Sequence, residues 1–260
     1  MPTGAITEYF DVAQIVLYGF WIFFAGLIIY LHRENKREGY PLVAEDRRNG
    51  RVVVQGFPEV PAPKSFRMAD GHTYQAPPGV VDDRPVAARP MRAHPGAPLV
   101  PTGDPMIDGV GPAAWALRED VPDLTAQDEP RIVPLRVASD HWVCEDDANP
   151  VGMEVLGCDR RRAGVVRDLW IDRSEPSIRY FEVEVPTAAG PRNVLLPYGF
   201  ADVKGRKRVV VSEAITADQF ADVPGTKSPD MVTRLEEDRI ISYFGGGTLY
   251  ATPKRQEPLL

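Results

Sequence analysis

From Val12 to Leu31 the chain is apolar without a break, with Gln14 the one clearly polar residue inside the run. A helix of that length, rising about 1.5 Å per residue, spans about 30 Å, the thickness of a bilayer's hydrocarbon core. Val, Ile, Leu and Phe fall on every side of it, so it lacks the polar face of a soluble amphipathic helix. The pattern predicts a transmembrane helix over 12–31. Glu8 and Asp11 precede the run while His32, Arg33, Lys36 and Arg37 follow it, the reverse of a cleaved signal peptide. Basic flanks stay on the cytoplasmic side, so residues 1–11 are expected outside and the rest of the chain in the cytoplasm. Tyr30 suits an interfacial position, whereas Tyr18 and Trp21 lie within the run. Ile15, Gly19, Ile22, Gly26 and Ile29 form one stripe whose glycines suit the approach of another helix.

Beyond the anchor the periodicity is lost. Between Pro41 and Pro130 lie 15 of the 26 prolines, too close together for long helices and too irregular for a polyproline rod. The segment 32–130 is therefore expected to be extended and irregular. It also carries Phe57, Phe66, Tyr74, Met91, Met106 and Trp115, more large apolar groups than a disordered tether, which suits a strap lying on another protein's surface.

From Ile132 short β-branched runs alternate with turn residues. Strands are predicted at Ile132–Val137, Gly164–Asp172, Ile178–Val185, Asn193–Leu196 and Arg208–Val211, a spacing that suits a small antiparallel barrel over 131–227. Val165, Leu169 and Ile171 share one face, with Asp168, Trp170 and Asp172 on the other; Phe181, Val183 and Val185 oppose Glu182 and Glu184. Arg179 has the parity of the apolar set, so its charge has to emerge at the end of the barrel or meet a carboxylate. Ser228-Pro229-Asp230 reads as a helix start and Gly245-Gly246-Gly247 as its stop, within a final segment 228–260. The apolar positions between them cover too wide an arc for one stripe, so that helix is expected to be packed on two sides.

The net charge of −7 argues against a nucleic-acid surface. Cys144 and Cys158 stand alone, and His32, His72, His94 and His141 make no metal-ligand spacing. G-x-S-x-G, a glycine-rich phosphate loop and H-E-x-x-H do not occur. The chain is read as non-catalytic, with no metal and no cofactor of its own.

Four stretches carry a resemblance: Trp21-Ile-Phe-Phe-Ala-Gly-Leu-Ile28, Arg37-Glu-Gly-Tyr-Pro-Leu42, Pro101-Thr-Gly-Asp-Pro-Met106 with Asp108-Gly-Val-Gly-Pro112, and Leu249-Tyr-Ala-Thr-Pro253. In these the chain resembles the H subunit of the purple-bacterial photosynthetic reaction centre, and Ile132–Val211 resembles the PRC-barrel module that some ribosome-maturation proteins share. The resemblance implies a single-pass protein of the bacterial inner (intracytoplasmic) membrane with a periplasmic N-terminus. It also implies core subunits L and M as partners, with a cytochrome subunit, light-harvesting antenna and membrane lipids as further neighbours. Bacteriochlorophyll, bacteriopheophytin, quinones and non-haem iron would sit in those other subunits. The H subunit would cap their cytoplasmic face and carry part of the proton path to the secondary quinone during light-driven cyclic electron transport. Glu175 and Arg179 match the family's inner charge cluster, with Asp172 and Asp168 nearby, and Glu175 is expected to exchange protons there. Where some members carry surface histidines, this chain has Gln127-Asp128-Glu129-Pro130, so proton uptake would fall to Asp128 and Glu129. The competing reading is a membrane-tethered PRC-barrel adaptor binding a soluble protein or RNA; a basic stripe would favour RNA, and the sequence has none.

Overall fold

The computed structural model describes residues 11–40, 42–46, 50–54, 56–69, 71–79, 82–94 and 97–256. Glu8, with the rest of residues 1–10, and Pro41 lie outside the described residues. The chain divides into two compact units, Met1–Asp83 with Pro90–Pro98, and Arg84–Arg89 with Leu99–Leu260.

The first unit begins with α1 (Val12–Asn35). Gln14, the lone polar residue of the run, completes its start: Asp11 Oδ1 accepts the Gln14 N–H at 2.7 Å, and the Gln14 side chain accepts the Asp11 N–H. No residue of α1 is buried, and Val16, Ile22 and Phe23 are among its most exposed. Among the described residues nothing buries this apolar cylinder, which is consistent with a single membrane-spanning segment. Among the described residues a Cβ built on Gly19 or Gly26 meets nothing within 4 Å, so both glycines of the stripe are open.

The stretch expected to be irregular contains local hairpins: β1 (Leu42–Asp46) with β2 (Gly50–Val54), and β3 (Lys64–Arg67) with β4 (Thr73–Ala76). Pro61 and Pro63 precede β3, and Pro77 and Pro78 follow β4. Without an N–H to extend a ladder, these prolines keep the pair short. Two basic residues at the end of α1 hold this region. Lys36 is buried, and its Nζ donates to the Pro58 carbonyl at 2.6 Å. Arg37 forms a two-pronged pair with Glu34 and donates to the carbonyls of Ala62, at 2.8 Å, and Ala76, at 3.0 Å.

In the second unit, β5 (Ala88–Pro90), β6 (Leu99–Pro101) and the one-turn helix α2 (Pro105–Asp108) lead into a seven-stranded sheet. Its strands are β7 (Ile132–Pro134), β8 (Glu154–Leu156), β9 (Arg162–Asp172), β10 (Ser177–Thr187), β11 (Gly190–Pro197), β12 (Asp202–Lys204) and β13 (Val209–Val211). The order is β11-β10-β9-β8-β13-β12, with β7 beside the C-terminal end of β9. All pairs are antiparallel except β13 with β8. The sheet is thus mixed rather than antiparallel, and among the described residues no ladder joins β11 to β12 to close a barrel. β8 and β12 were not expected, because Glu154-Val155-Leu156 and Asp202-Val203-Lys204 each carry a single β-branched residue, without the run that marks β13.

Two bulges alter the expected faces. Opposite β10, Val183 pairs with Val166 and Glu182 with Asp168, so Arg167 is the extra residue and the alternation changes phase there. Val166, rather than Val165, is fully buried as a result. The second bulge falls between Ile178 and Tyr180, and it turns Arg179 out to solvent. The face of β9 expected to be wetter is also covered: Trp170 and Asp172 are each 1% exposed.

The closing helix α3 (Arg234–Tyr250) differs from expectation at both ends. Its N-cap is Thr233, closed by a reciprocal bond with Glu236, and the Ser228-Pro229-Asp230 turn lies before it. It then runs through Gly245, Gly246 and Gly247. A Cβ on Gly246 would stand 2.5 Å from the Ala113 side chain, and one on Gly247 would stand 2.3 Å from Ile215 and 2.5 Å from the Ala214 carbonyl. These glycines permit close packing and do not end the helix. Phe244 and Ile240, both fully buried, join Leu169, Trp170, Phe181, Leu196 and Phe220 in one core.

On an open helix surface Gly→Ala gains up to about 1 kcal/mol. Gly247→Ala is expected to do the opposite and lose about 1–3 kcal/mol through overpacking. A lowered thermal midpoint of the full chain by far-ultraviolet circular dichroism is the check, and an unchanged or raised midpoint would contradict the packing role.

Candidate functional site

The sheet and α3 gather titratable side chains that the sequence scatters. Asp172, at the end of β9, is the most enclosed. Its carboxylate takes Arg131 Nε at 2.9 Å and Nη2 at 2.8 Å, together with the backbone N–H groups of Ser174, at 2.9 Å, and Glu175, at 3.1 Å. Register produces the pair: Ile132 of β7 lies opposite Asp172, which places Arg131 just beyond the end of the ladder. Burial pushes the Asp172 carboxyl upward, but Arg131 and the two N–H groups outweigh it and hold it below the usual carboxylate range. Arg131 is raised in turn, chiefly by its bond to Asp172. Its Nη1 also reaches Asp123 at 3.3 Å, and Asp123 pairs with Arg234 of α3 at 2.9 Å.

A second carboxyl is shifted the other way. Glu237, one residue past the capping Glu236, accepts the Tyr180 hydroxyl at 2.7 Å. Burial raises its pKa, and the negative charges of Asp123 and Asp172 add to the rise; the Tyr180 bond and Arg179 oppose it without prevailing. Tyr180 is 1% exposed, and burial, then the Glu237 charge, hold its phenol far in the protonated form. Two acids in electrostatic reach of each other are therefore shifted in opposite directions, Asp172 downward by its guanidinium and N–H partners and Glu237 upward by burial.

The six residues singled out from sequence separate. Asp172 is the buried anion. Glu175 is 77% exposed, with its carboxylate 3.9 Å from Arg131 at the rim of the cluster. Arg179 is exposed, and its charge acts on Glu237 and Tyr180. Asp128 sits exposed at the left-handed position of the Thr125–Glu129 turn, and Glu129 holds Arg173 at 2.7 Å. Asp168 turns to a different guanidinium: Arg136 bonds Asp168 at 2.9 Å, Glu182 at 2.7 Å and Asp230 at 3.2 Å. Glu182 there also accepts from Trp170 Nε1, at 2.8 Å, and Asn193, at 2.6 Å, beside a cavity of about 390 Å³. Among the described residues no group of three or more His, Cys, Asp or Glu is arranged to hold a metal ion.

Sequence reasoning did not single out Arg131, Asp123, Tyr180 or Glu237. The capping signature Thr233-x-x-Glu236 was legible, and it sets the phase of α3 that turns Glu237 inward. Nothing local marks Arg131, whose role comes from strand register.

Residues 4–137 match the family model described as photosynthetic reaction centre, H-chain N-terminal region. Residues 145–219, which contain β8 to β13, match the PRC-barrel domain.

Both shifts have a readable sign. Asp172 is depressed, so its contribution to stability is complete above the ordinary carboxylate value of 3.8 and is lost as pH falls below it. Glu237 is raised from 4.5, so the folded chain holds that proton more tightly than the unfolded chain and loses stability as pH rises past 4.5. Infrared pH titration is expected to show a carboxyl C=O band that persists above the usual range and disappears in Glu237→Gln; a band untouched by that substitution would assign the proton elsewhere.

Proposed function

Because the chain belongs to the photosynthetic reaction centre H-chain family, we propose that it serves as the H subunit of a purple-bacterial reaction centre, capping core subunits L and M and passing protons toward the secondary quinone they hold. In this reading the chain is a membrane-anchored, PRC-barrel-containing subunit that binds no pigment. The basic residues after α1 support a cytoplasmic second unit and a periplasmic N-terminus in this reading.

Reduction of a quinone to quinol takes up two protons with two electrons, so protons have to cross protein that excludes bulk water. The observation that supports a share for this chain is the opposed pair of carboxyls. Asp172, tied to Arg131, supplies a standing negative charge that attracts protons without taking one permanently. Glu237, raised chiefly by burial and to a smaller degree by the charges of Asp123 and Asp172, is suited to hold a proton and release it, with Tyr180 orienting its carboxyl. Glu175, exposed beside Arg131, stands where solvent meets the cluster, and Asp128 and Glu129 lie on the surface turn before β7. In this reading ordered water has to bridge the intervals between these groups.

The test uses the assembled complex. Glu237→Gln is expected to slow proton-coupled reduction of the secondary quinone roughly tenfold, about 1.4 kcal/mol on the barrier, and to leave the first electron transfer nearly unchanged. Glu175→Gln is expected to slow the same step less. Flash-induced kinetics with both substitutions silent would remove this chain's cluster from the path.

A further inference from the structure

The unit that begins with α1 carries a surface that the proton path does not use. With the apolar run ending at Leu31, Lys36 lies five residues further along, about 7 Å past the hydrocarbon edge at ~1.5 Å per residue and so within the headgroup layer. Lys36 is only 3% exposed because its ammonium is turned onto the Pro58 carbonyl at 2.6 Å and stands 5.2 Å from the Tyr40 ring. That bond ties Pro58, and with it the adjacent Phe57, to the residue that follows α1. Phe57 is 80% exposed there, more than any large apolar residue of α1.

Among the described side chains from 33 to 67 the exposed charges are Arg33, Lys64 and Arg67 against Glu38 and Glu59, so cations predominate there. Arg33 and Lys64 are both exposed, and both charges act on Glu34 at the end of α1. Lys64 Nζ also stands 5.5 Å from the ring of Phe66, which is 38% exposed. Arg37 keeps this edge in place through the Ala62 and Ala76 carbonyls, which flank the Lys64–Ala76 end of the β3–β4 hairpin. An exposed aromatic ring next to the proline bonded by Lys36, in the unit that also presents Arg33 and Lys64, suits the chemistry of an anionic lipid surface at headgroup depth.

We propose that Phe57 is a second bilayer contact of this chain: its ring enters the headgroup–acyl boundary beside the end of α1, while Arg33 and Lys64 face anionic lipid headgroups. The proposal rests on the reading of α1 as a membrane span. It gives the buried Lys36 a purpose, because a lysine free to seek headgroups itself would leave the aromatic residue unplaced.

The test is spin-label accessibility in the full chain, with Cys144→Ser and Cys158→Ser as background, in nanodiscs of phosphatidylcholine and phosphatidylglycerol and again in the assembled complex. Nitroxides are placed singly through Phe57→Cys, through Ile22→Cys within α1 and through Trp142→Cys, where the native side chain is 80% exposed. The ratio of oxygen to nickel-chelate collisions at position 57 is expected to lie several-fold above that at 142 and below that at 22. Lys64→Glu, or omission of phosphatidylglycerol, is expected to lower it. An aqueous ratio at 57 overturns the proposal, as do low collisions with both reagents in the complex, which would mean a protein neighbour covers the ring. An aqueous ratio at position 22 would instead overturn the span itself, so the two failures are distinguishable.

Discussion

Asp172 is a carboxylate almost sealed from solvent, and the arrangement around it follows from the need to keep its charge satisfied. An uncompensated buried charge costs several kcal/mol, and removing one partner of such a pair typically destabilises by about 3–5 kcal/mol. Arg131 answers that need from the chain leading into β7, and the N–H groups of Ser174 and Glu175 answer it from the turn into β10. Through Asp123 and Arg234 the same network reaches the first turn of α3. Segments far apart in sequence are thus brought together at one anion, and the β9–β10 turn is held from inside.

Burial governs the second carboxyl, and that anion adds a smaller push in the same direction. Glu237 is half-enclosed with a single hydroxyl donor, and the charges of Asp172 and Asp123 press it further toward its neutral form. A carboxyl kept ionised by a guanidinium beside one kept protonatable by burial is a general arrangement for moving a proton, because each group does what the other cannot. The Arg136 cluster shows the contrast. Asp168, Glu182 and Asp230 share one guanidinium, and Glu182 has further donors in Trp170 and Asn193. Its acids are tied into bonds that brace the sheet against the Pro229 turn.

In the first unit the same balance works at the end of the membrane helix. His32 and Arg33 remain exposed, whereas Lys36 and Arg37 turn inward to carbonyls of the proline-rich chain. Proline-rich backbone leaves carbonyls without ladder partners, and basic side chains supply the missing donors. The strap is therefore ordered partly by residues that sequence reading assigns only to membrane orientation.

What could be read along the chain was whatever has a local physical signature. The apolar run of α1, the proline density after it, the longer strands β9, β10 and β11, and the family motifs all lie within short windows. Asp172 and Glu175 were legible only through family likeness, since strand parity alone put Asp172 on a wetter face. Other features came from distant parts of the chain meeting. The Arg131–Asp172 pair depends on the register of β7 against β9, the exposure of Arg179 on a bulge, and the run of α3 through Gly246 and Gly247 on Ala113 and Ile215 lying against it. The shift at Glu237 requires a neighbour's charge and a covering of core at once. Burial and electrostatic environment are properties of that assembled surrounding, and no window of sequence contains them.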